Sequence, residues 1–180
     1  ATIRAGRQPQ HIVPSWDLHT LWVLDNSGTD VFPIDPATAR AGHRIHVDDP
    51  YNLYFTPDGS SAIVVAEARR RLDFRDPHTM ALQSSLAVPG CRGINHADYS
   101  ADESYLLVTC EFAGSIAKID MVHRRVVGLL RLGDPMGPAG SGSAPSPSTS
   151  TMSMPQDIRA APDGHRFYVA DMAAGGVHVV

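Results

Sequence analysis

Two independent sets of residues recur along this chain with a single spacing. Trp16, Pro57 and Ala101, the anchors of one kind of turn, lie 41 and 44 residues apart. Asp35, Asp76 and Asp120, each closing a short apolar run, repeat the same 41 and 44. A shared period of this length marks copies of one supersecondary unit that cannot bury its own faces and is stable only when stacked on its neighbours. Helical periodicity is absent throughout, so the unit is built of strands.

The copy over Tyr51–Gly90 shows the plan most clearly. The apolar run Leu53-Tyr54-Phe55 turns at Thr56-Pro57-Asp58-Gly59 and continues as Ala62–Ala66. The chain then crosses the polar Glu67–Arg71 and returns as Leu72–Arg75. It turns again at Asp76-Pro77-His78-Thr79 and runs out through Ala81–Val88. Four short strands and three turns in about 40 residues are the pattern of one propeller blade. A first copy uses His11–Val13, Leu21–Leu24, Val31–Ile34 and Arg44–Val47, with Pro33 removing a ladder donor, so local irregularity is expected there. A third uses Ile94–Tyr99, Tyr105–Cys110, Ile116–Ile119 and Val126–Leu132. A fourth has Ile158–Ala160, Phe167–Ala170 and Val177–Val180.

The expected fold is therefore all-β: a β-propeller of four-stranded antiparallel blades, about four of them in residues 1–180 as a single, partial domain. The Gly/Pro/Ser-rich stretch 133–153 explains the longer gap from Ala101 to Pro162 and is expected to be a flexible loop between blades. Ala1–Gly6 reads as a lone strand that could close against Val177–Val180. The expectation adopted is instead a piece of a larger propeller of about seven blades, since an apolar terminal strand leaves an open edge.

Composition narrows the function classes. With 43% hydrophobic residues and a net charge of −4, the chain lacks the basic surface that nucleic acid or an anionic membrane requires. No apolar run approaches the ~20 residues of a membrane helix. There is no initiator Met and no signal-like segment, so the first residues are expected to have been removed or never included. Cys91 and Cys110 are the only cysteines. They fall near the same end of neighbouring strands, which makes a disulfide geometrically feasible; two separate half-buried thiols are the expectation adopted.

The units Thr56-Pro57-Asp58-Gly59 with Ile63–Ala66, and Ala161-Pro162-Asp163-Gly164 with Phe167–Asp171, resemble the YVTN-type β-propeller repeat family. So does Ile34-Asp35-Pro36-Ala37-Thr38. The resemblance implies a propeller akin to surface-layer and cell-envelope proteins, hence an extracellular, periplasmic or envelope location. Trp16 and Ala101 stand where the repeat has its turn proline, and Glu103 where it has glycine, which implies degenerate repeats.

Aligning the four units on their first turns brings candidate functional residues into columns. Just before the innermost strand stand His11, Asn52, His96 and Asp157, preceded by Gln10, Tyr51, Asn95 and Gln156. The second strands end in Asp25-Asn26, Ala66-Glu67, Cys110-Glu111 and Asp171-Met172. Antiparallel neighbours place these groups on one rim, where propellers bind ligands. His11, Asn52, Glu67, Asn95, His96, Glu111, Asp157 and Asp171 are the candidate ligand-binding set. His11, His96 and Asp157 are candidate ligands of a divalent metal, since imidazole and carboxylate together suit one. The competing reading is that these groups only satisfy backbone at the strand ends. No catalytic triad order, P-loop, dinucleotide fingerprint or haem-attachment motif is present.

The expected function is a non-catalytic binding module of an exported or envelope protein, holding a small ligand or protein partner at the channel rim. The alternative is part of a propeller oxidoreductase or metal-dependent hydrolase with its metal or cofactor at the channel mouth. Arg69-Arg70-Arg71 with Arg75 is expected to be a solvated turn. Trp16 is expected in a turn and Trp22 between blades.

Overall fold

The computed structural model describes residues 2–136 and 152–180. They form four antiparallel meanders with a trace of 3-10 helix and no α-helix. The first sheet takes β1 (Pro9–Pro14), β2 (Leu21–Asp25), β3 (Asp30–Asp35) and two short outer pieces, β4 (Arg40–Ala41) and β5 (Ile45–His46). The second is β6 (Pro50–Phe55), β7 (Ala62–Ala66), β8 (Arg71–Arg75) and β9 (Leu82–Ala87). The third is β10 (Ile94–Tyr99), β11 (Tyr105–Cys110), β12 (Ser115–Asp120) and β13 (Arg125–Arg131). The fourth is β14 (Pro155–Ala160), β15 (Phe167–Asp171) and β16 (Gly176–Val179). The fold class is as the repeat predicts.

Two compact units divide the chain, Ala1–Ala87 and Val88–Val180, with two sheets each. In the first unit, Trp22, Leu24 and Val31 of one sheet pack on Leu53, Ala62, Val64 and Met80 of the next. Trp22 is thus an inter-sheet residue, as expected. All five residues of β7 are buried; the strand is hydrogen-bonded to β6 on one side and β8 on the other, and Ala62 and Val64 face the first sheet. In the second unit Leu107 and Ile116 pack on Ile158, Phe167 and Val169.

Pro33 explains the divided outer strand of the first sheet. β4 pairs with Ile34 and Asp35, while β5 pairs with Asp30 and Val31. The ladder is interrupted opposite Phe32 and Pro33, where the proline has no N–H to offer. Residues 2–6, expected as a strand, are not one. Ala5 packs on Val23, Phe32 and Ile34, and Gly6 lies so close to the Asp25 carboxylate that a Cβ there would meet it at 1.6 Å. Of the expected loop 133–153, residues 137–151 lie outside the described residues. At its edges, Ser153 N–H donates to the Asp134 carbonyl at 2.9 Å.

The turns repeat as faithfully as the strands. The residue after the turn aspartate is left-handed in every sheet: Leu18 (φ 62°), Gly59 (69°), Glu103 (60°) and Gly164 (74°). The aspartates Asp58, Asp102 and Asp163 each accept the N–H two residues on, at 3.0, 3.2 and 2.9 Å. Hydroxyl hydrogen bonds, from Thr56 to Asp58 and from Ser100 and Ser104 to Asp102, together with these amide bonds favour the charged form and hold the two carboxyls down at about 2. Trp16, expected in a turn, lies over the next sheet's turn. Its ring is 2.5 Å from where a Gly59 Cβ would be, and its Nε1–H donates to the Pro57 carbonyl at 3.1 Å.

Candidate functional site

Each innermost strand carries an irregularity at the same place. Pairing jumps between Pro9 and His11, between Pro50 and Asn52, between Ile94 and Ala97, and between Pro155 and Ile158. These are the columns Gln10–His11, Tyr51–Asn52, Asn95–His96 and Gln156–Asp157. A bulge breaks the ladder locally, leaves an amide to be satisfied otherwise, and re-aims side chains. The side chains supply the missing partners. Asn52 Oδ1 accepts the Leu53 N–H at 2.9 Å, Asn95 Oδ1 the His96 N–H at 2.6 Å, and Asp157 Oδ1 the Ile158 N–H at 3.0 Å.

The sequence carries a signal for the bulge that the turn residues do not show. Pro9, Pro50 and Pro155 stand at the start of three inner strands, with Ile94 in the third. A residue without an N–H fits a position where the ladder begins with a break.

Neighbouring bulges touch within each unit. In the first, the His11 ring donates from Nδ1 to the Tyr51 carbonyl at 2.7 Å, its centroid 5.0 Å from the Tyr51 ring. Burial lowers the His11 pKa and the Tyr51 carbonyl opposes that shift. Asn52 is buried and donates from Nδ2 to the Tyr54 hydroxyl at 3.0 Å. Glu67 follows β7, is half-buried, and gives its backbone carbonyl to Arg70 N–H.

The second unit holds a denser cluster. Asn95 is fully buried; its Nδ2 donates to Glu111 Oε2 at 3.1 Å and to Gln156 Oε1 at 3.4 Å. Thr109, next to last in β11, donates to Asn95 Oδ1 and accepts the His96 N–H at 3.1 Å. Thr109 and Gln156 are members of this cluster that the candidate set lacked. Glu111 opens a 3-10 turn, Glu111–Ala113, pinned by its N–H to the Gly93 carbonyl at 2.8 Å. Burial raises its pKa, against hydrogen bonds from Gln156 and Asn95 that lower it. Asp157 is half-exposed and pairs with Arg159 at 3.1 Å.

The structure thus brings Asn95, Glu111 and Gln156 together, beside His96 and Asp157 in the paired bulges. Asp171 sits apart in role. Buried at the end of β15, it accepts the Ser153 hydroxyl, the Met154 and Ala174 N–H groups at 2.9 Å, and His178 Nε2 at 2.8 Å. Burial raises its pKa, but those bonds outweigh it and the net shift is down. Of the metal set, His11 belongs to the first unit, and His96 and Asp157 to the second. Among the described residues no group of three or more His, Cys, Asp or Glu is placed to hold a metal ion.

Cys91 and Cys110, expected as separate thiols, are bonded to each other. Cys110 pairs with Ile94 across the β10–β11 ladder, and the chain just ahead of Ile94 returns so that the two Cα atoms are 4.8 Å apart. That is inside the range a disulfide spans. Arg69 and Arg70 lie exposed in a turn, as expected, while Arg71 opens β8 and is drawn in. Arg71 chelates the fully buried Asp73 through Nε and Nη2 at 2.8 and 3.1 Å, Arg69 pairs with Asp48 at 3.1 Å, and Arg75 is buried. Among the described residues no helix is long and apolar enough to cross a membrane.

No known family's profile matches the chain, and no curated sequence does. Solved structures do. The chain is similar to Kuenenia stuttgartiensis hydrazine synthase at 19% identity and TM-score 0.71, over 99% of this chain and 51% of that one. It is similar to a streptogramin B lyase at 11% identity and TM-score 0.71, over 99% and 53%. A catalytically inactive His-to-Ala variant of virginiamycin B lyase from Staphylococcus aureus, solved with quinupristin, matches at 11% and TM-score 0.69, over 95% and 51%. The chain spans about half the length of these structures. At such identities the likeness is one of fold, and the fold is that of a β-propeller.

Proposed function

We propose that the chain is a β-propeller binding module of an exported or cell-envelope protein, taking a small ligand or protein partner at the starts of its innermost strands. In the second unit the residues offered are His96 and Asp157, with Glu111 and Asn95 behind them; in the first they are His11 and Asn52. The observation that carries this reading is the recurrence of one bulge in all four inner strands. Bulges are concentrated at rims and beside binding sites, where they redirect side chains out of the ladder. The Cys91–Cys110 bond supports an oxidising compartment, since such bonds persist outside the cytosol.

A thermal-shift screen of small ligands and divalent cations against the chain tests the proposal. A binding compound is expected to raise the melting temperature, and His96→Ala with Asp157→Ala is expected to abolish the shift. A shift that survives these substitutions and also His11→Ala with Asn52→Ala would place the ligand elsewhere and sink this reading.

A second reading is catalytic. Its support is Glu111, a buried carboxyl whose pKa burial raises and which is hydrogen-bonded to Asn95, the residue before His96; a raised carboxyl pKa is the condition of a general acid. The neighbours include a synthase and a lyase whose His-to-Ala variant is inactive. A stoichiometric divalent metal or chromophore in protein purified without chelator would favour this reading in its oxidoreductase or hydrolase form.

A further inference from the structure

Every sheet ties the end of its second strand to the stretch leading into its first. In the first sheet the buried Asp25, last residue of β2, accepts the Arg7 N–H at 3.0 Å and the Gln8 N–H at 2.7 Å. In the fourth, the buried Asp171, last residue of β15, accepts the Met154 N–H and the Ser153 hydroxyl. The second sheet makes the tie in reverse: Asp49, just ahead of β6, accepts the Arg69 N–H beyond β7 at 2.8 Å. In the third sheet the aligned residue is Cys110, last of β11, and its partner Cys91 lies just ahead of β10.

We infer that the Cys91–Cys110 disulfide is a covalent replacement for the carboxylate tie, and that breaking it releases the Asn95–Glu111 cluster beside it. Glu111 directly follows Cys110, and its N–H is bonded to the Gly93 carbonyl at 2.8 Å. Phe112 N–H is bonded to the Arg92 carbonyl at 3.0 Å. Both carbonyls lie between Cys91 and Asn95, so the disulfide, these two bonds and the Asn95–Glu111 bond close one small knot. A dithiol reductant supplies two electrons and two protons. The S–S bond breaks, two thiols form, and the dithiol closes into its own disulfide. Thiols are weak donors and weak acceptors, so they do not rebuild the tie. Both cysteines are fully buried, so the reductant reaches the bond only when the knot opens locally. The inference stands whether or not the rim binds a ligand.

Amide hydrogen exchange on the whole chain, with and without dithiothreitol, tests it. Reduction is expected to speed exchange about tenfold or more in peptides covering 91–96 and 110–112, leaving those covering 21–35 unchanged. Cys91→Ser with Cys110→Asp installs the hydroxyl–carboxylate pair that Ser153 and Asp171 make in the fourth sheet. It is expected to keep these peptides protected even in dithiothreitol, while Cys91→Ser with Cys110→Ser is not. Unchanged exchange on reduction, or equal protection in the two double variants, would overturn the inference. Should the double-serine variant fail to fold, the reduced and oxidised wild-type chains decide it alone.

Discussion

The carboxyl of Glu111 is held among amides rather than beside a cation. Asn95 and Gln156 moderate its burial without cancelling it, so its pKa stays above the ordinary 4.5. A carboxyl whose folded pKa is raised binds its proton more tightly in the native state than in the unfolded one. Its charge therefore costs stability above the folded pKa, and that cost is relieved as pH falls towards 4.5. Glu111→Gln is expected to melt at the same or a higher temperature than the parent at pH 7, the difference vanishing below about pH 4.5. Melting curves across pH check this; a variant less stable at pH 7 would mean the ionised carboxylate is stabilising. The sequence alone puts Glu111 and Asn95 at neighbouring strand ends that antiparallel pairing must bring together, and a hydrogen bond joins them. The sequence did not expose Thr109. A threonine inside a strand looks like ordinary strand composition until a bulge opposite leaves an amide for its hydroxyl to accept. Asp171 shows the converse: an acid at the right position of the repeat proves to be spent on the Met154 and Ala174 amides.

At the level of the hairpins, the same backbone is filled by different residues. The left-handed position after the turn aspartate is glycine in two sheets and Leu18 or Glu103 in the others. A non-glycine residue there costs roughly 1–2 kcal/mol, against the roughly 0.5–1 kcal/mol that glycine loses in backbone entropy. Glu103→Gly is therefore expected to stabilise the chain by about 0.5–1 kcal/mol. Gly164→Ala is expected to destabilise it by more, since a Cβ at φ 74° would also stand 2.7 Å from the Ala101 methyl. Chemical denaturation of the two variants checks both signs. This contact also accounts for a departure from the repeat. Ala101 and Trp16 both face the next sheet's turn glycine, one touching it with a methyl and the other covering it with an indole. The turns were readable from sequence because Pro-Asp-Gly has its own backbone chemistry. The bulges were less so, because a register shift leaves alternation intact on either side. The disulfide depended on that register and was hidden with it.

The whole chain bears the mark of its period more plainly than of any function. Turn anchors, strand-closing aspartates, left-handed residues and bulges all repeat together, and solved propellers match over nearly the full length. That much was legible, because a meander that must bury both faces constrains every copy in the same way. What varies between copies carries the chemistry: histidine, asparagine and aspartate in one column, carboxylate and disulfide in another. Such variation has no period to reveal its purpose. The second unit, with its joined bulges and buried carboxyl, is where we propose that a ligand binds. An NMR titration with any compound that raises the melting temperature locates the contact. Shift changes are expected to concentrate at 94–98, Glu111 and 156–158. Changes confined to the exposed outer strand at Val127–Leu130, with those residues unmoved, would contradict it.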